Sequence, residues 1–346
     1  MEKEIKSQGQ IIENLINRHL VNYCVLLDLP LNIKRITIIA SGSSYNAGVF
    51  GKYFLEQIAK TPTNVEHASE FISSNFSEID TETLYVFISQ SGLSVDTVEA
   101  INKVKEAKAK TLAITNDVNS TIHTQADYKF YIDAGVENAI AATKTYSATV
   151  LMLWLIALKI AQNKHIDVSE ETKDIYSIKS TIESAIYDTD NLDLCAKTLS
   201  QMDGFAICGL GYNYAISLET ALKIRETSYV NTCAHPSGEF VHGHFAVLNN
   251  AKAFLTFVMD DASEYEIQTL NKILKTYKST KSIVISNSYE DFGCDILVKF
   301  PKGQSKIANI LGMIIVAQML ALNIAIKLKR DVDKPQGLVK IVNSKD

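Results

Sequence analysis

Glu219, Lys223 and Glu226 stand at i, i+4 and i+7 in the run Leu218-Glu-Thr-Ala-Leu-Lys-Ile-Arg-Glu226. On a helix that spacing brings them within roughly 60° of one another. Leu218, Ala221 and Leu222 line up beside them as an apolar stripe. The chain then reads as a loop carrying His235, Pro236, Gly238, Glu239, His242, Gly243 and His244. Carboxylates, an ammonium and imidazoles close together in sequence are the groups that move protons to and from carbon. Two plainer readings stand beside this one. Acid–lysine–acid faces also occur as solvated ladders worth about 0.3 kcal/mol per pair. His235, Glu239, His242 and His244 are also residue types that ligate zinc.

A second chemistry is written in two serine-rich turns, Ser41-Gly-Ser43-Ser44 and Ser89-Gln90-Ser91-Gly-Leu-Ser94. Each follows a β-branched apolar run and precedes a helical stretch. A helix N-terminus offers unpaired N–H groups and partial positive charge to an anion, and serine hydroxyls add donors without bulk. Two such turns at equivalent strand ends can grip one phosphate beyond the carboxyl edge of a parallel sheet. The plainer reading is helix capping by serine. No GxxxxGK[ST] loop occurs, and Gly209-Leu-Gly211 keeps only the first two glycines of a dinucleotide fingerprint, with Tyr214 in place of the third.

These groups must be positioned by a regular scaffold. Residues 36–40, 84–88, 111–115 and 128–132 read as strands, with helices from Tyr45, from Val95 and through Trp154 between and after them. After a polar helical connector at 163–195 the plan repeats, with strands at 205–208, 254–259, 282–286 and 296–300 and a long apolar helix from Ile307. Lys110-TLAIT-Asn116 echoes Lys281-SIVIS-Asn287 at an offset of 171, and Gly42 echoes Gly211 at 169. Strand–helix alternation in two copies implies an α/β protein with two parallel sheets, helices on both faces of each. The expected division is an N-terminal helical arm at 1–30, a first domain with its connector at 31–195, a second at 196–330 and a tail at 331–346.

The 346 residues carry a net charge of −5 and no dense basic block, so neither nucleic acid nor an anionic membrane is an expected partner. Ile307 to Ile326 is long enough to cross a bilayer, but Asn309, Gln318 and Asn323 interrupt it, so it reads as a buried helix. Cys24, Cys195, Cys208, Cys233 and Cys294 are scattered and odd in number, and the N-terminus is polar; both fit the cytoplasm. The two long apolar helices have more greasy surface than one sheet face needs, which predicts a two-fold homodimer.

Six stretches together resemble the sugar isomerase (SIS) domain family: Ser41-GSSYNAG-Gly48, Ser89-QSGLSVDT-Thr97, Ala141-ATK-Lys144, Leu218-ETALKIRETSY-Tyr229, Ser237-GEFVHG-Gly243 and Pro335-QGLVK-Lys340. Within it they look most like the isomerase half of glutamine–fructose-6-phosphate aminotransferases. The resemblance implies two tandem SIS subdomains, each a flavodoxin-like three-layer sandwich, and a 6-phosphosugar ligand with no metal and no cofactor. It assigns the phosphate to Ser43, Ser44, Ser89, Gln90, Ser91 and Ser94, and further substrate contacts to Ala141 and Glu219. It makes Glu226 the base moving a proton between C1 and C2, with Lys223 supporting it. His242 opens the sugar ring from a neighbouring subunit in a shared site, and Lys340 forms an imine with the open-chain ketose. The chemistry agrees: a carboxylate suits C–H abstraction, an imidazole suits ring opening, and an amine attacks a carbonyl once it has lost its proton.

The chain also departs from the family. The glutaminase half is not in this sequence, so the expected reaction does not draw nitrogen from glutamine. His244 stands where the family usually has proline, Leu93 where it often has glutamate, and Ala142 where serine is common. The expected activity is aldose–ketose isomerisation of a hexose 6-phosphate, with ammonia release if the sugar is glucosamine 6-phosphate. A deglycase acting on a fructosamine 6-phosphate would use the same groups. A non-catalytic sugar-phosphate sensor would have no need of Glu226 or Lys340.

Overall fold

In the computed structural model, which describes residues 1–74, 79–249, 252–276 and 280–341, the N-terminal segment is helical only as far as His19. Helices Glu2–Lys6 and Gln8–His19 lead into a hairpin, β1 (Leu20–Val21) against β2 (Cys24–Val25). The expectation of a helical arm to residue 30 is corrected at this point. Asn22 and Tyr23 take φ of 47° and 63°, and two positive φ values make the two-residue turn whose twist suits a hairpin.

Two five-stranded sheets follow. The first contains β3 (Arg35–Ala40), β4 (Thr63–His67), β5 (Thr83–Ser89), β6 (Lys110–Thr115) and β7 (Tyr128–Tyr131) in the order β4-β3-β5-β6-β7. The second contains β8 (Gly204–Gly209), β9 (Asn231–Pro236), β10 (Ala253–Val258), β11 (Lys281–Ser286) and β12 (Ile296–Lys299) in the order β12-β11-β10-β8-β9. Every pairing in both is parallel. Counted from its own first strand, each sheet has the order 2-1-3-4-5, the doubly wound arrangement that leaves a ligand crevice where the order reverses. The repeat heard in the sequence is therefore a repeat of topology.

It extends to side chains. The Asp127 carboxylate accepts from Thr111 N and Oγ1 at 2.9 and 2.8 Å, and Asp295 accepts from Ser282 N and Oγ at 2.8 Å each. In both copies the hydroxyl in turn accepts from the aspartate N–H at 3.0 Å. The same reciprocal bracket ties the start of β6 to the lead into β7, and the start of β11 to the lead into β12.

β4 and β9 were not legible as strands. Asn64, Glu66 and His67 make β4 polar, and β9 runs Asn-Thr-Cys-Ala-His-Pro. Each is an edge strand with a single neighbour, so an apolar run on both faces is not required. The segment expected to loop through His235 instead pairs with β8, and Ser237–Phe240 then forms one short helical turn.

The chain divides into two compact units. One holds the first sheet: Gln10–Glu137, Lys144–Lys173 and the tail from Val339. Ile39, Phe87, Ala113, Ile101 and Val104 are the centre of one of its cores. The other holds the second sheet: Met1–Gly9, Asn138–Thr143 and Asp174–Leu338. Ala206, Phe254, Val284, Leu270 and Ile273 pack in its core, and helices Ile178–Tyr187 and Leu192–Leu199 lie against the long helix Lys306–Lys327.

Helices Lys144–Asn163 and Lys306–Lys327 are long and apolar enough to cross a membrane, yet 89% of each apolar window is buried inside the chain. The greasy surface from which a partner subunit was expected is thus already covered. All five cysteines are free thiols.

Candidate active site

Helix Tyr212–Ser228 carries the acid–lysine–acid face, and Glu219 and Lys223 are buried with Ile216, Ala221 and Ile224. Lys223 is 1% exposed and Glu219 4%, while Leu218 and Leu222 are half-exposed. The solvated-ladder reading is excluded by the burial of Glu219 and Lys223. Lys223 Nζ hydrogen-bonds to Glu226 Oε2 and lies 3.6 Å from Glu219 Oε1. The Glu226 side chain keeps 22% of its surface exposed, so it is anchored to Lys223 without being sealed from solvent. The helix can bury such a face because its hydroxyls satisfy themselves locally. Ser217, Thr220, Thr227 and Ser228 each donate to the carbonyl four residues earlier, at 2.6–2.8 Å.

The helix ends at Tyr229, whose φ of 63° is unusual for a bulky residue. Its Oη accepts from Gln336 N at 2.6 Å and its ring lies 5.0 Å beneath the Arg330 guanidinium. The chain leading to the C-terminal tail is thereby tied to the end of the helix that carries Glu226.

In the first sheet, the serine turns follow β3 and β5, adjacent strands flanking the point where strand order reverses. Helix Gly42–Gln57 begins directly after Ser41, and helix Val95–Glu106 directly after Ser94. Neither Ser41 nor Ser94 makes a side-chain capping hydrogen bond, so capping does not explain them. Ser43, Ser44, Gln90, Ser91 and Ser94 are half-buried at these helix starts. Ser89 is buried; its Oγ accepts from Gly92 N at 3.0 Å and lies 3.4 Å from Ser94 Oγ. Ser91 Oγ accepts from Leu93 N at 3.2 Å. Gly92 sits at φ +63°, and a Cβ there would fall 2.0 Å from Ser120 Oγ. Gly92→Ala must therefore reshape the turn. We expect it to weaken binding of inorganic phosphate at least about tenfold, a cost of roughly 1–3 kcal/mol for a strained backbone. Calorimetric titration checks this; unchanged affinity would show that the turn does not hold the anion.

Ala141 is fully buried, so its methyl group is not available to a ligand. Its loop is clamped by backbone contacts within the second-sheet unit. Glu4 Oε1 accepts from Asn138 N and Ala139 N at 2.6 and 3.2 Å, Ile140 N donates to Asp333 O at 3.1 Å, and Gln318 Nε2 donates to Thr143 O at 3.2 Å. Within the first-sheet unit, Lys340 Nζ donates to Glu137 Oε2 at 2.7 Å.

His242 lies exposed just past the Ser237–Phe240 turn, its N–H donating to Glu239 O at 2.9 Å. His235 is half-buried, with Nε2 3.2 Å from Cys233 Sγ and its ring stacked 4.1 Å from that of His244. Burial first, and the neighbouring His244 second, hold the His235 imidazole below its usual range. Among the described residues no three His, Cys, Asp or Glu side chains converge as a metal site.

The structure thus groups Glu219, Lys223 and Glu226 on one helix, and the serines around two neighbouring helix starts. Glu4, Glu137 and Tyr229 were missed by sequence reasoning. Glu137 left one readable trace, as the only charged residue between Ala134 and Thr143.

The SIS domain model matches residues 31–159 and again 198–326. The chain is 33% identical over 352 residues to a glutamine–fructose-6-phosphate aminotransferase (isomerizing) of Campylobacter jejuni and 32% identical over 360 to that of Clostridium tetani. Each alignment spans 99% of this chain but 58% of the relative. The C-terminal domain of the glucosamine-fructose-6-phosphate aminotransferase of Francisella tularensis superposes with a TM-score of 0.89 at 29% identity, over 97% of this chain and 98% of that one. A glucosamine-6-phosphate deaminase of Thermotoga maritima shares the fold, with a TM-score of 0.78 at 24% identity over 99% and 98% of the two chains. With both sheets and their helices matched in two consecutive copies, the chain belongs to the SIS domain family.

Proposed function

We propose that this protein is a sugar-phosphate isomerase that moves a proton between C1 and C2 of a hexose 6-phosphate. The observation that carries the reading is the Glu219–Lys223–Glu226 cluster. A buried ammonium holds one oxygen of Glu226 while the side chain keeps part of its surface exposed, the arrangement a carboxylate base needs to meet a C–H bond in a fixed orientation. Ser43, Ser44, Ser89, Gln90, Ser91 and Ser94 take the phosphate, His242 exchanges the proton that opens the sugar ring, and Lys340 forms an imine with the open-chain ketose. The glucosamine 6-phosphate to fructose 6-phosphate conversion, releasing ammonia, is the favoured reaction because the aminotransferase relatives are named for fructose 6-phosphate.

A panel of glucose, fructose, glucosamine and mannose 6-phosphates tests this by thermal shift and by product analysis. We expect glucosamine and fructose 6-phosphates to stabilise the protein most, with ammonia appearing from the first. Binding without turnover of any member would favour a sensor and overturn the enzymatic reading.

A further inference from the structure

Glu137 is a wholly buried carboxylate that the isomerisation steps above leave without a role. Its side chain is 0% exposed. Thr145 N and Oγ1 donate to its two oxygens at 3.2 and 2.7 Å, within the first turn of helix Lys144–Asn163. The partial positive charge of that helix end favours the carboxylate form. The position of Glu137 is therefore set by the scaffold, independently of the tail. The tail brings Lys340 Nζ to 2.7 Å from Glu137 Oε2, with 24% of the lysine side chain exposed. A charged amine cannot attack a carbonyl, and Glu137 is an acceptor within hydrogen-bond reach of the proton it must lose.

We propose that Glu137 is the proton shuttle for imine formation at Lys340, an inference that rests on Lys340 being the imine-forming residue. Glu137 first accepts one proton from the Lys340 ammonium. The freed Nζ lone pair attacks the ketose C2, a C–N bond forms, and the carbonyl π pair moves to oxygen, which takes a second proton from nitrogen. Glu137 then returns its proton to that hydroxyl, the C–O bond breaks, and water leaves. One ammonium, one carboxylate and one ketone have become one iminium, one carboxylate and one water, so protons and charge balance. The step ends with the Glu137 carboxylate beside the iminium, where opposite charges stabilise each other in a buried setting. The iminium in turn acidifies the adjacent C–H of the sugar.

Borohydride trapping with fructose 6-phosphate, followed by mass spectrometry of the whole chain, tests the assignment. We expect one reduced adduct on Lys340 in the native protein. Glu137→Gln should slow its formation at least about a hundredfold at neutral pH, while calorimetric affinity for fructose 6-phosphate changes less than about threefold. In that variant the trapping rate should rise about tenfold per pH unit, as hydroxide takes over the deprotonation. Thr145→Val, which removes one hydrogen bond but keeps the carboxylate, should trap at close to the native rate. Adduct formation in Glu137→Gln at the native rate would reduce the contact to an ion pair that docks the tail, and would leave the proposed isomerase intact. A native protein that binds fructose 6-phosphate but gives no adduct would overturn the imine and the shuttle together. The native trapping rate gives a check needing no variant: it should be insensitive to hydroxide between about pH 7 and 9, and a tenfold rise per unit would overturn the shuttle.

Discussion

Glu226→Gln should lower turnover by roughly 10²–10⁴-fold while leaving affinity for the sugar phosphate within about threefold. The substitution preserves size and leaves an amide oxygen for the Lys223 ammonium to bind, so the helix face should keep its shape. What it removes is the ability to take a proton from carbon. Binding should survive because the phosphate is assigned to serine turns on another sheet. The measurement is a split between kcat and calorimetric Kd, with the melting temperature as a control for folding. Turnover within threefold of the native protein would mean that another group is the base. Lost binding together with lost activity would point instead to Glu226 holding the substrate.

Lys223→Met should cost about 3–5 kcal/mol of stability, the range found when one partner of a buried ion pair is removed. Methionine matches the lysine stem in length and polarity, so the cavity term is small. The penalty comes from Glu219, 4% exposed with Lys223 Nζ 3.6 Å away. Its carboxylate would have to remain charged in a dry interior or take up a proton. Adding Glu219→Gln to Lys223→Met should recover a large part of the loss, because a neutral amide is cheaper to bury than a carboxylate whose buried ammonium has been removed. Denaturant melts of the two single variants and the double variant give the coupling directly. A destabilisation below about 1 kcal/mol for Lys223→Met would contradict the buried pair seen in the structure, since that is the range of an exposed one. Activity should fall as well, because Glu226 loses the group that orients it.

The serine turns were legible because their logic is local. A β-branched run, a small polar turn and a helix start follow one another within a few residues, whereas the Ser120 contact that excludes a side chain at Gly92 comes from the fold. The topology was legible because the chain states it twice, down to the paired Asp127 and Asp295 brackets. The edge strands β4 and β9 were not, since a strand with one neighbour can be polar and shows no hydrophobic run. The expected partner subunit rested on two grounds, the histidine that the family resemblance places across subunits and apolar helices whose surface is already covered inside the chain.

By itself, then, the order of residues determined the two α/β halves, their parallel sheets, the serine turns at the strand ends and the identity of the Glu–Lys–Glu trio. Only the tertiary structure decided that the trio is buried and not solvated, because burial depends on what packs against a helix and not on its own letters. It likewise decided that Glu137 meets Lys340, a pair 203 positions apart in sequence. Spacing along a chain reports neighbours within a turn or two of helix, and a partner at that separation is chosen by the fold.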